Sequence, residues 1–580
     1  MERPVMSAAE ALKALTSTPN PTPTLEAGRA ALARGDAAEA IELLYAVTQA
    51  QPADHESRYW LYSALVAGGH AGLAGQILAD ARNLQAVAVI RSVGGDMERF
   101  RTDPAYCATL GMQLYEAKLM GPAALALGRA LDLDNPDPSV MITYGLSLQH
   151  QGRMEEAIAV FTAAAEIFPA PSIHAFLIYP LFHAPDRLKR VSEEARKWAS
   201  LHAAPHTPKT VMFAGERTTT RRLRIGYVGP SFTRNQVSQF LMPVLEAHDP
   251  AAVEVFLYCA DPAGEQGLPD HCKVRAIGGV SDAEVVKRIR ADKIDILIDV
   301  WGHTAGSRLP VFGHRPAPVQ VAWINFVQTT GLETMDYVLH ADSMAVEGTA
   351  QYFTEQVWPI GPIVTPCRLS PDRQPASPTP ALTNGHVTFG SFNNPAKISE
   401  PTVQAWARIL CARPADRLVL KYGYYADPVL QRVTRARFAA YGVDPDQLEF
   451  RGHTTGADYW REFADIDLAL DPSPCPGGTT SCDALASGVP VLTQWGDDFF
   501  SRIGVPVVLP CGLPELIADG WDDYVQRALD LTADLEALEA LRRKTRAGFE
   551  SSHYRDEVGF TRNLEDIFRQ MYARWLESGR

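Results

Sequence analysis

The chain reads as an α-helical repeat solenoid followed by an α/β half of two Rossmann-like domains, and two changes of texture predict this. Helix punctuation recurs every 34 residues through the first 172 residues. From Arg222 onward, short β-rich runs alternate with helical stretches, the pattern of a parallel doubly wound sheet. A length of 580 residues is also too great for one hydrophobic core, so several domains are required.

The repeat comes first. Gly111, Ala123, Leu127 and Ala130 return 34 residues later as Gly145, Ala157, Phe161 and Ala164, and Pro169 closes the unit. An earlier copy holds Gly28, Ala40, Leu44, Val47 and Pro52 at the same offsets, and Ala74, Leu78 and Ala81 continue it. Small residues where two helices touch, larger apolar ones in the core and a helix stop form the tetratricopeptide pattern. The register breaks between Ala81 and Gly111, so one unit there is degenerate or extended. Solenoids of this kind present a concave peptide-binding surface, so residues 21–172 are expected to recruit a protein partner. Their loss is expected to spare small-molecule binding elsewhere. Residues 1–20 are expected to be a flexible N-terminus, and residues 173–220 a helical connector and linker, with a helix over Val191–His202.

The α/β half carries strands at Leu223–Val228, Val253–Tyr258, Ile294–Val300 and Val319–Ile324, with a helix over Asp282–Ala291. After the Pro-rich stretch Pro371–Pro380 a second series follows at Val387–Gly390, Arg417–Lys421, Leu448–Phe450, Asp467–Asp471 and Val489–Thr493. The lobes are therefore set at 221–375 and 376–580. The final helical stretch, Leu529–Trp575, is expected to pack back across the pair. Two such sheets bind ligands in the crevice outside their strand C-termini.

Composition narrows the function. A formal charge of −14 argues against a nucleic-acid binder, which needs clustered Lys and Arg. No apolar run approaches the roughly 18 to 20 residues that span a bilayer, and the first residues lack the order of a secretory signal. Eight cysteines without a C-x-x-C pair suggest neither a disulfide framework nor a zinc site. A cytoplasmic location is expected.

One chemical signal stands out in Asp471-Pro-Ser-Pro-Cys-Pro-Gly-Gly-Thr-Thr-Ser-Cys-Asp483. It follows a strand and enters a helix. Gly477 and Gly478 allow close backbone approach, the helix start aims N–H groups at an anion, and Thr479 and Thr480 add hydroxyls for a diphosphate. The same residues also read as a turn and, through Thr480-x-x-Asp483, as a capping box. A second signal, Phe389-Gly-Ser-Phe-Asn-Asn-Pro-Ala-Lys-Ile398, sets Lys397 after a strand, either as a charge for a phosphate or as a solvated surface lysine. Asp465-Ile-Asp467 has the D-x-D form of a manganese site but precedes a buried-looking strand, so it is read as structural. No metal or other cofactor is expected.

These stretches, with Ala405-Trp-Ala-Arg-Ile-Leu410, Gly488-Val-Pro-Val-Leu-Thr493, Arg224-Ile-Gly-Tyr-Val228, Gly302-His-Thr304 and Arg315-Pro-Ala-Pro-Val-Gln-Val321, resemble the O-linked N-acetylglucosamine transferase and SPINDLY family. The resemblance runs from about Leu223 to the C-terminus. It implies a metal-independent GT-B fold that transfers a sugar from a nucleotide donor to Ser or Thr of a protein. By position it implies that Lys397 contacts the diphosphate, Asn394 lies beside the nucleotide, Gly477, Gly478, Thr479 and Thr480 hold the phosphates, and Asp483 contacts the ribose or caps the helix.

Three departures fall on the expected sugar side. Asn235 stands where the family carries an active-site His, and it cannot act as a base. Asn325-Phe-Val-Gln-Thr-Thr-Gly331 lacks the family's Pro-Gly, and animal members carry a His at the position of Gly478. They suggest a different donor sugar, and because bacterial members of the family the chain resembles include flagellin-modifying enzymes, the resemblance implies as the leading expectation a bacterial enzyme modifying flagellin with a CMP-activated nonulosonic acid of the pseudaminic type. The alternatives are UDP-N-acetylglucosamine transfer to cytoplasmic proteins, a nucleotide-sugar epimerase or hydrolase, and a catalytically weak scaffold. His303 is the imidazole expected nearest the cleft, with a core histidine as the competing reading.

Overall fold

The computed structural model describes Leu12 and residues 23–133, 136–374 and 377–578. The expected flexible stretch 1–20 lies outside the described residues except for Leu12, which is buried against the first repeats. The expected lobe boundary at 375/376 also lies outside them.

Paired helices fill the first third: α1 (Leu25–Ala33) with α2 (Ala37–Ala50), α3 (His55–Ala67) with α4 (Ala71–Ser92), α6 (Pro104–Glu116) with α7 (Met120–Asp132), and α8 (Pro138–His150) with α9 (Met154–Ile167). Asp36, Asp54, Asp103 and Asp137 each cap a helix by accepting its first amides. The recurring glycines have a steric reason. A Cβ on Gly28, Gly111 or Gly145 would fall 2.4–2.5 Å from Leu44, Leu127 or Phe161 of the paired helix. The break in register is α4 itself, which runs on for 22 residues before a short α5 (Met97–Thr102).

Two short turns, Pro171–Ala175 and Ile178–Leu181, lead into α10 (Arg187–His202), which starts four residues before the expected helix. The first lobe is a parallel sheet of β1 (Leu223–Val228), β2 (Val253–Cys259), β3 (Lys273–Ala276), β4 (Ile296–Asp299), β5 (Val319–Ala322), β6 (Tyr337–His340) and β7 (Gln356–Pro359), in the order β3-β2-β1-β4-β5-β6-β7. Its helices include α11 (Ser238–Ala247) and α12 (Asp282–Ala291).

The second lobe orders β8 (Thr388–Ser391), β9 (Arg417–Lys421), β10 (Leu448–Arg451), β11 (Leu468–Leu470), β12 (Val491–Gln494) and β13 (Ile517–Ala518) as β10-β9-β8-β11-β12-β13. It carries α13 (Glu400–Ala412), α14 (Pro428–Ala439), α15 (Thr479–Ala486), α16 (Gly520–Leu531) and α17 (Leu535–Ser551). In both sheets strand order reverses beside the first strand, between β1 and β4 and between β8 and β11, where such sheets open a ligand crevice. The final helix α18 (Glu557–Glu577) crosses back to the first lobe, and Glu565 accepts from His248 Nδ1 (2.9 Å) at the end of α11.

The repeats are not a free module, because they pack against α14 of the second lobe. Val429, Val433 and Ala436 of α14 share one apolar cluster with α1–α4. Ser63 Oγ donates to Ala436 O (2.9 Å), Gln85 Nε2 to Pro428 O (3.1 Å) and Gly121 N to Asp427 Oδ2 (2.6 Å). Removing the array would expose that stripe to water.

Candidate active site

The two expected donor-binding segments leave adjacent strands at the second lobe's switch point. After β8, Asn394 Oδ1 accepts from Ala396 N (3.0 Å), which caps the turn that carries Lys397. Lys397 Nζ donates to Pro476 O (2.9 Å) in the loop after β11, and Thr480 Oγ1 donates to Asn393 Oδ1 (3.3 Å). The lysine turn and the glycine-threonine loop therefore meet. Helix α15 begins at Thr479 with Gly478 as an N-cap that provides no side-chain bond, and the first helical bond is Cys482 N to Gly478 O (3.0 Å). The amides of Thr479, Thr480 and Ser481 precede that bond and point out of the helix start. The capping-box reading is corrected, because Thr480 and Asp483 both lie inside the helix.

Asp471 organises this loop from below. Its Oδ1 accepts from Gly477 N (3.1 Å) and Ser481 Oγ (2.9 Å). A Cβ on Gly477 would fall 2.1 Å from Ser481 Oγ, so only glycine fits there, whereas a Cβ on Gly478 meets nothing within 4 Å. Burial pushes the Asp471 carboxyl up to about 6. A small cavity lined by Ser391, Asn393, Asp471, Thr480 and Ser481 lies under the helix start.

Asp483 differs from expectation. It is buried, and its carboxylate accepts from Gln239 Nε2 (3.1 Å) of the first lobe and Tyr459 OH (2.9 Å). Both oxygens are thus held by the chain itself, and the residue ties the lobes together. The D-x-D pair is split between two structural tasks: Asp465 pairs with Arg451 (2.7 Å), while Asp467 accepts from Ala381 N (3.0 Å) and Thr388 N (2.8 Å).

On the first-lobe side the expected groups are occupied. Asn235 gives Nδ2 to Ser231 O (2.7 Å) and takes Val237 N (2.9 Å) and Ser238 N (3.2 Å) on Oδ1, so it serves the entry to α11. His303 is not at the cleft surface. It is 2% exposed, bonds Thr330 O through Nε2 (2.8 Å) and sits edge-on to Trp198 and Phe326. Burial lowers it to about 4, so the competing reading as a core histidine holds. Gln328, Thr329 and Thr330 are fully buried too, with both threonines bonded to Glu355.

Two titratable groups near the crevice were missed by sequence reasoning. Asp299 ends β4, accepts from Gly302 N (2.7 Å), and is pushed up to about 7 by burial. His183 lies in the stretch read as connector. Burial first, then the charges of Lys397 and Arg187, lower it to about 3, and its Nε2 is buried without a partner. The neighbouring Phe182 stacks on Phe500 of the second lobe (4.4 Å) and touches Phe326 of the first (5.8 Å), and Arg187 pairs with Asp498 (2.6 Å). The aromatic and proline content of Phe176–Pro185, unusual for a solvated linker, was the available signal.

Among the described residues, no group of three or more His, Cys, Asp or Glu is placed to hold a metal ion, and no helix is long and apolar enough to cross a membrane. Comparison with solved structures gives a point mutant of an O-GlcNAc transferase from Thermobaculum terrenum, 29% identical with a TM-score of 0.74 over 99% of this chain and 100% of that one. Among curated proteins, a probable UDP-N-acetylglucosamine–peptide N-acetylglucosaminyltransferase SPINDLY of Petunia hybrida is 38% identical over 62% of this chain and 39% of its own length. A UDP-N-acetylglucosamine–peptide N-acetylglucosaminyltransferase of Caenorhabditis elegans is 23% identical over 70% of this chain and 46% of its own. The chain thus spans less than half the length of these curated relatives. The model of glycosyl transferase family 41 matches residues 149–358 and 378–564, which takes in His183, the Lys397 turn and the whole of α15. With a two-lobed crevice, an open helix start and that match in agreement, the chain belongs to glycosyltransferase family 41.

Proposed function

We propose that the chain is a metal-independent, inverting protein O-glycosyltransferase whose donor diphosphate rests on the α15 amides, Thr479, Thr480 and Lys397. The observation that carries this reading is the Lys397–Pro476 contact, which brings a cation to the rim of an uncapped helix start. An acceptor hydroxyl attacks the anomeric carbon as the bond to the diphosphate breaks, and the amides and Lys397 meet the charge that develops on the leaving phosphate. His183, neutral and beside Lys397, is the group we assign to take the hydroxyl proton. Burial is the larger cause of its low basicity, and donor phosphates facing Lys397 offset the smaller part that comes from positive charge.

UDP-N-acetylglucosamine takes precedence over a nonulosonic acid as the donor, because the relatives' names carry that nucleotide sugar. The acceptor is a protein brought by the repeats, and eight unpaired thiols fit the cytoplasm. The test is a thermal-shift panel of UDP-, GDP- and CMP-sugars, followed by intact-mass analysis of a co-incubated acceptor. UDP-N-acetylglucosamine is expected to raise the melting temperature. Lys397→Ala is expected to lose that shift and to cut transfer by about 10²–10³-fold. His183→Ala is expected to keep the shift and lose transfer. Stabilisation of Lys397→Ala equal to that of the wild type would end the donor-site reading.

A further inference from the structure

The first lobe carries a hollow on the edge of its sheet opposite the crevice, at the starts of β4 and β5 rather than their ends. Four separate stretches wall it: the connector before β1, the end of α12, the turn before β5 and the last helix, α18. It holds about 500 Å³, open on one side, which is room for a small organic molecule.

One part of the wall is aromatic. Trp575 of α18 stacks with Tyr572 (5.3 Å) and meets Phe213 of the connector edge-on (5.7 Å). The charge of the wall is one-sided. Among the described lining residues Asp295 is the only acid, and Arg221 neutralises it through two bonds of 2.7 Å. Arg290 and Lys293 supply positive charge, and Arg217 places its guanidinium over the Trp575 ring (4.7 Å). In a chain of formal charge −14 this concentration of cations runs against the background.

Two details point to a ligand. Trp575 is only 7% exposed, and its indole N–H is buried without a hydrogen-bond partner. Buried donors are nearly always paired, so an acceptor is wanting on this wall. Lys293 sits in the left-handed region (φ 54°) two residues past the end of α12, where glycine or asparagine is the usual occupant. The chain accepts that strain and gains a cation at the hollow.

We propose that this hollow is a second ligand site, which takes a small molecule made of a planar ring bearing a phosphate or carboxylate group. The anion accepts from the Trp575 indole N–H and pairs with Lys293 and Arg290, while the ring packs on the aromatic wall. The inference does not depend on the donor-site reading, because the two sites lie at opposite strand ends.

Saturation-transfer NMR on the full chain, with phenyl phosphate and benzoate as probes, measures the binding. At least one of the two is expected to bind saturably. Inorganic phosphate and benzyl alcohol, which carry only the charge or only the ring, are expected to bind about tenfold more weakly or less. Lys293→Asn keeps a residue suited to the left-handed turn and removes the charge, so the bound probe is expected to weaken about tenfold. Trp575→Phe removes the N–H and is expected to weaken it by a similar factor. Lys293 is exposed, so the asparagine variant disturbs no core and carries the test if the phenylalanine variant does not fold. Lys397→Ala, on the crevice side, is expected to leave the probe's affinity unchanged. Binding of neither probe to the wild type overturns the proposal. So does an affinity that Lys293→Asn leaves unaltered, or inorganic phosphate bound as tightly as phenyl phosphate. A loss in Lys397→Ala would place the probe in the crevice instead, and it overturns the second site while leaving the donor reading intact.

Discussion

Two helix starts in the second lobe meet the same physical problem and resolve it in opposite ways. At α14 the side chain of Asp427 caps the helix through Val429 N (2.9 Å) and also accepts Gly121 N (2.6 Å) from the first turn of α7 in the repeats. One carboxylate thus satisfies amides of two helices and is buried between them. At α15 the N-cap is Gly478, no side chain answers the first amides, and Lys397 stands at the rim. The capped start is part of the architecture, whereas the uncapped one leaves its positive end to a ligand. The difference teaches that the site is marked less by the residues present than by a cap left off.

The sharpest way to break the comparison is to give α15 the missing cap. The space at Gly478 is open, so Gly478→Asp meets no steric obstacle. Its carboxylate is expected to occupy the amides that the donor needs and to repel the diphosphate. Donor affinity and transfer are expected to fall by about 10²–10³-fold, a loss of the size seen when a key electrostatic contact is removed. Folding stability is expected to rise by about 0.5–1 kcal/mol, as a new N-cap contributes. Calorimetry and denaturant unfolding on the same sample check both signs. Unchanged donor binding in this variant would sink the anion-site reading of α15.

The capped start makes the converse case, and pH exposes it. Burial raises the Asp427 carboxyl from its ordinary 3.8 to about 6. A carboxyl raised in this way holds its proton more tightly in the folded chain than in the unfolded one. The stability it contributes is therefore fully present below the unfolded value and is lost as pH rises through about 6. Asp427→Ser keeps a capping oxygen for α14 without a titrating group. The advantage of the wild type over this variant is expected to shrink by up to about 3 kcal/mol between pH 4 and 7. Denaturant midpoints of the two proteins across that range test it. A pH-independent difference would mean that the carboxyl is not held between the repeats and the lobe.

How far each region was legible in the sequence follows from the same contrast. Backbone recognition leaves a local signature, so the strand end, the two glycines and the helix after them were readable as one unit around Gly477–Thr480. The 34-residue repeat was readable for a similar reason, since each glycine faces a large apolar residue within its own unit. Groups whose role depends on distant packing were not readable. His303 follows a strand just as a cleft histidine would, yet Trp198 from α10 covers it. His183 reaches the crevice because Phe182 is wedged between Phe326 and Phe500, which lie in different lobes. The short edge strands β3 and β13 went unseen because β3 has no buried face and β13 is two residues long.

The two adjacent glycines allow the finest division of the loop into fold and ligand site. Gly478 is the position left open for a ligand, and Gly477 is the position the chain needs for itself. A methyl group at Gly477 would overlap Ser481 Oγ at 2.1 Å and press on Asp471 Oδ1 at 2.9 Å, so the serine must leave the carboxylate. Gly477→Ala is therefore expected to cost about 1–3 kcal/mol, the usual penalty for forcing an extra carbon into a packed site. Gly478→Ala is expected to stay within about 0.5 kcal/mol. Ser481→Ala removes the atom that the methyl group strikes, so the double variant Gly477→Ala/Ser481→Ala is expected to lose less than the sum of the single losses. That non-additivity is the mark of a shared contact. Thermal unfolding of the four proteins closes the cycle. Strict additivity would show that the loop at Gly477 is not held by the serine and the aspartate.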